Sequence, residues 1–545
     1  MKFFQNPKHR FWSAYALLVV MSLLFGSQLY TLGLLPENIQ SPVFWIMGLA
    51  AVVIGLGYLE FSYIRKVAVS ALTLSLCLSA VYGLGTYYVV KTSGMLSAVT
   101  AVRKKNTNKV SLLVLNESDI NSVDNLEGRT IGILKNIDTA GTKRLLEKIG
   151  EETSVQFEKV DLDSVPQEAM ELYNGTVDAV ILNEAYRANV TDLESYNDFT
   201  DRTRVITSVT FETDSVNEPL AVSDVTAKPY NILISGNDTY GDVGELSRSD
   251  VNMVVTVDPL TSTVLLTSIP RDSYVAVRCG DAYACAEGQY DKITHTGLNG
   301  ITSTKQTVEQ LLGIDINYTF RVNFSSVTNI VDSLGGIDID VPVGQAVDTF
   351  YTDSTLQGVA EGINHLDGAR ALAFARERYA YVDGDNQRVR NQQMVLKAIF
   401  AKATSPDIVV NYPKLLEALA STFDTTLTSD EITTFIKYQI QSIPDWKFES
   451  YQIAGEGADL FCPALGQNAY VTVVDPYTVT LAHDKIMAVL NGQDADAVTE
   501  PVSPIRDDLY IQVPVYDYEY DPEENIEESP DWEESPKEAD GENVD

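Results

Sequence analysis

Arginine and aspartate side chains recur at short spacings in the second half of this 545-residue chain. Arg248 and Asp250 stand two residues apart at the start of a predicted strand, so both side chains can point to one face. Arg271 and Asp272 follow the next predicted strand, and Asp238 follows the strand before. Guanidinium groups match phosphate geometry with paired hydrogen bonds, so several of them in one place predict a site for a multiply charged anion.

More arginines follow about a hundred residues later. Arg376 and Arg378 are again two apart, in a segment that we predict to be extended. Arg388 and Gln392 are four apart at the start of a predicted helix and so share a face, whereas Arg390 should point elsewhere. Open α/β sheets bind ligands at the carboxyl ends of their strands, where several of these side chains are expected.

Two carboxylates among those arginines indicate a metal ion. The cation would lie between the anion and the two carboxylates, Asp238 and Asp250, since a hard ion such as Mg²⁺ commonly takes one or two carboxylates plus phosphate oxygens. The alternative is a set of surface salt bridges. Any one pair fits that interpretation, but the whole ordered set argues against it.

Composition excludes other chemistry. The formal net charge of −37 disfavours binding to nucleic acid, because both partners would be negative. The four cysteines form no C-x-x-C pair, and the four histidines form no H-E-x-x-H motif. Gly141-Thr142-Lys143 lacks the order of a phosphate-binding P-loop.

Three uncharged apolar runs open the chain, at residues 11–35, 39–59 and 67–90. Each exceeds the roughly 20 residues that span a bilayer, and a cleaved signal peptide has one shorter run. We therefore predict three transmembrane helices in residues 1–95. Basic residues flank both ends of this region almost equally, so the charge rule is nearly tied, and we place the large C-terminal part outside the cell.

Residues 96–227 are predicted to form a small α/β accessory lobe. Strands are expected at residues 110–115, 130–135, 155–160 and 178–183, with helices between them. The stretches that begin at Leu126 and Tyr173 resemble one lobe of a periplasmic solute-binding protein. Either a ligand sensor or an inert spacer fits this resemblance, and we favour the spacer because a clamshell needs two lobes.

Residues 228–495 are predicted to form a larger α/β domain with helices on both faces of a central mixed sheet. Strands are expected at residues 231–235, 251–257, 263–268, 319–323 and 337–341. Helices are expected at residues 305–312, 325–334, 385–403, 414–421, 430–441 and 477–490. Residues 496–545 are predicted to be an acidic, disordered tail, since they are too polar to bury a core.

The motifs of the larger domain resemble the LytR–CpsA–Psr (LCP) family. They are Asn231-Ile-Leu-Ile-Ser-Gly-Asn-Asp238, Arg248-Ser-Asp250, Ser268-Ile-Pro-Arg-Asp272, Tyr290-Asp-Lys-Ile-Thr-His295, Ala371-Leu-Ala-Phe-Ala-Arg-Glu-Arg378 and Gly384-Asp-Asn-Gln-Arg-Val-Arg-Asn-Gln-Gln393. They cover about half the chain. Three spans followed by an accessory lobe are similar to the capsule-linked branch of that family.

The resemblance implies an enzyme, an LCP-type phosphotransferase. It would move a polyprenyl-pyrophosphate-linked glycopolymer, in this branch capsular polysaccharide, onto peptidoglycan with Mg²⁺ and release polyprenyl phosphate. By position, Asp238 and Asp250 would hold the metal. The pyrophosphate would be bound by Arg248, Arg271, Arg376, Arg378, Arg388 and Gln392. Asp272 is a candidate for a catalytic base, and a structural role for it, paired with an arginine, is equally consistent.

The resemblance also implies a multi-pass protein of a Gram-positive cell membrane with its large C-terminal part extracellular. Other capsule-synthesis membrane proteins are then possible partners. Two alternatives stay open: a regulator, for which no helix-turn-helix signal is evident, and a membrane-bound protein that holds the lipid precursor without chemistry. Outside the cell, Cys279 and Cys285 are close enough to form a disulfide, although Cys462 could pair with either.

Overall fold

Three long apolar helices form the amino-terminal region. The computed structural model describes residues 7–511, apart from residues 34, 36, 101–104, 241, 281–284, 286 and 406–422. The helices are α1 (Pro7–Leu32), α2 (Glu37–Phe61) and α3 (Arg65–Val99). Each helix is apolar enough and long enough to cross a membrane. The three predicted apolar helices are confirmed in number and position.

The accessory lobe is a five-stranded sheet with helices packed on it. Its elements are β1 (Lys105–Leu115), β2 (Thr130–Leu134), α4 (Thr139–Glu152), β3 (Glu158–Leu162), α5 (Val165–Asn174), β4 (Ala179–Asn183), α6 (Arg187–Thr191), α7 (Phe199–Arg202) and β5 (Thr203–Asp214). The strand order is β3-β2-β4-β1-β5. β2 runs parallel to β3 and β4, whereas β1 is antiparallel to β4 and β5. The predicted strands are present, although β3 begins at Glu158 rather than at residue 155, and β5 was not predicted.

Local signals explain the limits of α5. The Ser164 side chain accepts a hydrogen bond from the backbone N–H of Gln167, and Pro166 stands in the first turn, where no backbone N–H is needed. Gly175 ends the helix in the left-handed conformation, with φ 71°. These caps place Glu168 on the buried face of the lobe.

Glu168 makes the stability of the lobe dependent on pH. Its side chain is buried, and neither carboxyl oxygen has a hydrogen-bond partner in the described part of the chain. Burial, reinforced by Asp138, raises the pKa of Glu168 well above its ordinary value. Above the ordinary pKa, the Glu168 carboxyl is ionised in the unfolded protein but still protonated in the folded protein. The folded state therefore loses stability as the pH rises from the ordinary pKa towards the raised pKa of Glu168.

Glu168→Gln should therefore raise the unfolding midpoint relative to the parent, and by more near about pH 8 than near about pH 5. Thermal unfolding of both proteins at the two pH values measures this difference. Glu151→Gln, at an exposed position of α4, is the matched control and should change little at either pH. An equal effect of Glu168→Gln at both pH values would contradict the assignment.

A six-stranded mixed sheet forms the centre of the C-terminal domain (residues 228–495). Its strands are β6 (Tyr230–Asn237), β7 (Ser249–Asp258), β8 (Thr263–Ile269), β11 (Tyr318–Val322), β16 (Phe423–Thr425) and β17 (Lys447–Gln452). They lie in the order β16-β11-β6-β7-β8-β17. β7 is antiparallel to β6 and β8, while β11 is parallel to β6 and β17 is parallel to β8. The predicted mixed sheet is confirmed.

The helices of the domain are α8 (Ile301–Leu312), α9 (Phe324–Ser333), α10 (Gly368–Arg376), α11 (Asp385–Ala403), α12 (Ser429–Ser442) and α13 (Pro476–Leu490). α8 and α13 cover one face of the central sheet, and α11 and α12 cover the other. Leu233 and Val254 face α8 and α13 in one core, and Val255 and Leu266 face α11 and α12 in the other. Burial on both faces explains why these strands are almost continuously apolar in sequence. The predicted helix at residues 414–421 lies outside the described residues.

Smaller sheets surround the central one. β9 (Ser273–Ala276), β10 (Tyr290–Lys292), β18 (Gly455–Cys462) and β19 (Gln467–Val474) form a four-stranded sheet in the order β10-β9-β19-β18. β12 (Ile337–Val341) pairs with β15 (Gly362–Leu366), and β13 (Val347–Thr349) pairs with β14 (Gln357–Val359). Cys279 and Cys285 form a disulfide with Cα atoms 5.6 Å apart, as predicted, and Cys462 is free and buried.

Two expectations are wrong. The segment of Arg376 and Arg378 is not extended throughout, because α10 continues to Arg376. The helix starts where Asp367 accepts a hydrogen bond from the backbone N–H of Arg370, and its run of alanine favours helix. The tail expected from residue 496 does not begin there. Val502 donates its backbone N–H to Asp484 on α13, and Leu509 packs against the core of the domain, so the chain stays on the domain as far as Leu509.

Candidate active site

A cavity of about 380 Å³ lies at one edge of the central sheet. The carboxyl ends of β6, β8 and β11 and the start of antiparallel β7 meet there, since these strands are neighbours in the sheet. The side chains expected to act together line it: Asp238, Arg248, Asp250, Arg271, Arg376, Arg378, Arg388 and Gln392. The structure thus gathers residues that span about 150 positions of the chain into one place.

Arg248 is the most completely paired of these arginines. It is 7% exposed, and its Nε and Nη2 donate to Oδ2 of Asp238 at 2.9 and 2.6 Å. Its Nη1 donates to Oδ2 of Asp192 at 2.7 Å. Burial raises the pKa of Asp238, although Arg248 opposes this. All three nitrogens of the Arg248 guanidinium are therefore engaged by carboxylates.

Asp250 stands between two cations and a hydroxyl. Arg271 Nη1 donates to its Oδ2 at 2.8 Å, and the hydroxyl of Thr294 donates to its Oδ1 at 2.9 Å. Burial would raise the pKa of Asp250, but Arg271 and Arg248 outweigh it, so the pKa is held far below the ordinary value. Asp250 is therefore a carboxylate at any physiological pH.

The other arginines of the cavity have fewer carboxylate partners. The buried Arg388 lies 2.8 Å from Asp385, yet its Nε has no hydrogen-bond partner among the described residues. Burial and the neighbouring Arg271 lower the pKa of the Arg388 guanidinium. The guanidinium of Arg376 lies 4.2 Å from the ring centroid of Phe324, and that of Arg378 lies over Tyr379. Neither Arg376 nor Arg378 has a carboxylate partner in the described part of the chain.

The charges of the lining side chains favour the binding of an anion in the cavity. Five arginines and three aspartates line it, which leaves two positive charges in excess within a chain of net charge −37. The amino terminus of α9, capped by Asn323, also lies at this edge and adds positive potential. The arrangement can hold an anion with at least two charges.

The carboxylates also fit a divalent cation that the anion helps to hold. Oδ1 of Asp238 is buried and has no hydrogen-bond partner among the described residues. Among the described residues, the only three acidic side chains with carboxylate oxygens within 4.8 Å of one another are Glu449, Asp494 and Asp496. Lys447 already pairs with Glu449 and Asp494 there. The cavity thus offers two carboxylates, Asp238 and Asp250, to an ion such as Mg²⁺ that completes its coordination with phosphate oxygens.

Asp272, the candidate base, and Arg390, which was expected to point away, both lie outside the cavity. Asp272 accepts from Lys292 at 2.9 Å and lies 3.6 Å from Arg271 Nε, and it is not among the lining residues. This geometry favours the paired, structural role over that of a base. Arg390 donates to Gln387 and pairs with Asp383 on the surface, so it points away as expected.

Sequence reasoning missed three side chains that complete the network: Asp192, Thr294 and Asp385. Thr294 and Asp385 stand inside motifs that were noticed, next to residues with other roles. Asp192 belongs to the accessory lobe, 56 positions before its partner Arg248, and no local pattern marks it.

Family models match both the C-terminal domain and the accessory lobe. Residues 192–479 match the model of the LytR_cpsA_psr family, and residues 86–216 match that of a family described as NMT1/THI5 like. The polyisoprenyl-teichoic acid–peptidoglycan teichoic acid transferase TagU of Bacillus cereus is 30% identical over 264 residues, which cover 46% of this chain and 81% of that protein. TagU of Enterococcus faecalis is 31% identical over 41% of this chain and 70% of that protein.

Solved structures of similar proteins include two from Bacillus subtilis. TagV is 28% identical with a TM-score of 0.40, over 48% of this chain and 98% of TagV. TagT is 23% identical with a TM-score of 0.39, over 51% of this chain and 98% of TagT. The family model matches more than half of the 545 residues and includes every residue of the cavity that was predicted from the sequence. The chain therefore belongs to the LytR–CpsA–Psr family of transferases.

Proposed function

We propose that this protein transfers a glycopolymer from a polyprenyl-pyrophosphate carrier to peptidoglycan and releases polyprenyl phosphate. The observation that carries the proposal is the cavity with two excess positive charges, in which Arg376 and Arg378 have no carboxylate partner among the described residues. Relatives that are named as teichoic acid–peptidoglycan transferases support the same reaction class.

The six basic and amide side chains Arg248, Arg271, Arg376, Arg378, Arg388 and Gln392 bind the pyrophosphate in this proposal. A hydroxyl of the wall sugar attacks the phosphorus that carries the polymer and gives up its proton to solvent, a new phosphodiester forms, and the P–O–P bond to the carrier breaks. The arginines stabilise the charge that develops on the departing polyprenyl phosphate, which is electrostatic stabilisation at fixed positions. We assign no base, because Asp272 is held by Lys292 outside the cavity.

Asp238 and Asp250 hold Mg²⁺ in the same proposal. When bound, the ion would neutralise charge on the phosphate oxygens as a Lewis acid. Oδ1 of Asp238, buried and without a described hydrogen-bond partner, supports this assignment, since a buried carboxylate needs a donor or a cation.

The proposed donor polymer is capsular polysaccharide, and the proposed location of the cavity is the outer face of the membrane. Three spans with an accessory lobe support the capsule-linked branch. The end of α3 contacts α12 through the hydroxyls of Thr100 and Ser429, and a side chain at Gly33, after α1, would meet the ammonium of Lys437. The ends of α1 and α3 thus share the side of the C-terminal domain, and the start of α1 lies on the opposite side of the helical region.

A purified transfer assay tests the function. Full-length protein in detergent receives Mg²⁺, peptidoglycan and a polyprenyl-pyrophosphate-linked polysaccharide, with a teichoic acid donor in parallel. Polymer bound to peptidoglycan and released polyprenyl phosphate should rise together with the capsular donor, and a chelator should stop both. Tight binding of the donor without release of polyprenyl phosphate would instead favour the holding protein. Transfer of the teichoic acid alone would overturn the choice of polymer.

A further inference from the structure

The accessory lobe contributes a side chain to the cavity. Asp192 directly follows α6, and Asn189 on the same helix contacts the buried His295, which is paired with Asp291 of β10. His295 lies on a 3₁₀ helix (Ile293–Asn299) that also carries Thr294, a partner of Asp250. The lobe therefore rests against the element that supports the site.

Asp192 bridges two of the arginines of the cavity. Its Oδ2 lies 2.7 Å from Nη1 of Arg248 and 3.6 Å from Nη1 of Arg271. Since Asp238 already takes Nε and Nη2 of Arg248, Asp192 occupies the last guanidinium nitrogen of that residue. A phosphate that takes the same N–H of Arg248 Nη1 has to compete with this carboxylate.

Exposure distinguishes Asp192 from the other carboxylates of the cavity. Its side chain is 39% exposed, against 5% for Asp238 and 16% for Asp250. Asp192 thus lies at the mouth, where water can solvate it after it leaves the arginines. Burial would raise the pKa of Asp192, but Arg248 and Arg271 outweigh it and lower the pKa, so the group is an anion. The Asp192 carboxylate, between the guanidinium groups of Arg248 and Arg271, therefore occupies a position where an anionic substrate would bind.

We propose that Asp192 is an affinity-determining residue of the site, an internal anion that the pyrophosphate of the substrate must displace from Arg248 and Arg271. The inference rests on the proposed function. It gives the accessory lobe a role in the reaction: by presenting Asp192, the lobe excludes weakly held anions and sets the affinity for the pyrophosphate group. If the carboxylate occupies the arginines about nine-tenths of the time, the apparent affinity is reduced about tenfold.

Binding of a soluble prenyl pyrophosphate tests this inference. Calorimetric titration of full-length protein in detergent with geranyl pyrophosphate and Mg²⁺ should give a dissociation constant about tenfold lower for Asp192→Asn than for the parent. Asp192→Ser, which also removes the charge, should act in the same direction. Glu194→Gln, an exposed neutral replacement two residues away, should bind like the parent. The KM for the lipid-linked donor should fall by the same factor in the two Asp192 variants.

Arg388→Lys, measured in the same titration, separates the two proposals. If the parent binds the probe and Arg388→Lys weakens binding, but the Asp192 variants bind equally or more weakly, the anion site stands and the inference about Asp192 is overturned. A lower kcat in these variants without a lower KM would overturn it as well, because it would make Asp192 a positioning residue. If neither the parent nor the variants bind the probe, the proposed function itself fails.

Discussion

Replacing Asp250 with alanine should abolish Mg²⁺-dependent transfer. Asp250 accepts hydrogen bonds from Arg271 and Thr294 and is a proposed ligand of the metal, so its loss leaves the buried Arg271 without its 2.8 Å partner. Breaking a buried charge pair costs about 3–5 kcal/mol. If that cost falls on the transition state, turnover drops by roughly a hundredfold to several thousandfold. The measurement is polymer transferred to peptidoglycan by purified protein.

The control for Asp250 is a carboxylate with similar burial outside the cavity. Asp272 is 17% exposed against 16% for Asp250, and it is also ion-paired, to Lys292. Asp272→Asn should retain most of the turnover, while Asp250→Asn, which keeps the shape but removes the charge, should lose most of it. Full activity of both Asp250 variants with a lipid-pyrophosphate donor would show that the metal assignment is wrong.

Arg376→Lys and Arg388→Lys should each lower turnover roughly tenfold to a hundredfold. Lysine keeps the charge but loses the planar fork that binds phosphate oxygens in pairs. One charge-assisted hydrogen bond contributes about 1.5–3 kcal/mol, which gives this range. Arg388 has an Nε without a described partner, and Arg376 lies against Phe324, so both present nitrogens to the cavity.

Arg390→Lys is the matched control, since Arg390 is on the same helix as Arg388 but pairs with Asp383 at the surface. The two side chains are 41% and 60% exposed, and an exposed pair of this kind contributes about 0–1 kcal/mol. Its turnover should stay within about twofold of the parent. Three variants that all behave like the parent would argue against a phosphate site and for the holding protein.

Short-range patterns were sufficient to locate most of the site. The two-residue spacing of a strand predicted that Arg248 and Asp250 share a face, and both line the cavity although Arg248 directly precedes β7. Arg388 and Gln392 share a helix face by the four-residue spacing. The same reasoning failed at Arg376. Its two-residue spacing from Arg378 was taken for a strand, whereas the Asp367 cap and the alanine-rich run make the segment helical up to Arg376.

By itself, the sequence determined the three long apolar helices, many of the strands and helices, and the arginines of the cavity together with Asp238 and Asp250. These follow from apolar length, periodicity and spacing, which act between residues close in the chain. Only the tertiary structure decided which carboxylates neutralise which arginines. Asp192 reaches Arg248 because the accessory lobe packs on the 3₁₀ helix of His295, and Asp272 is withdrawn because Lys292 lies beside it. Such pairings join different elements of the fold, within the C-terminal domain or between it and the accessory lobe. They therefore depend on tertiary packing and leave no local pattern.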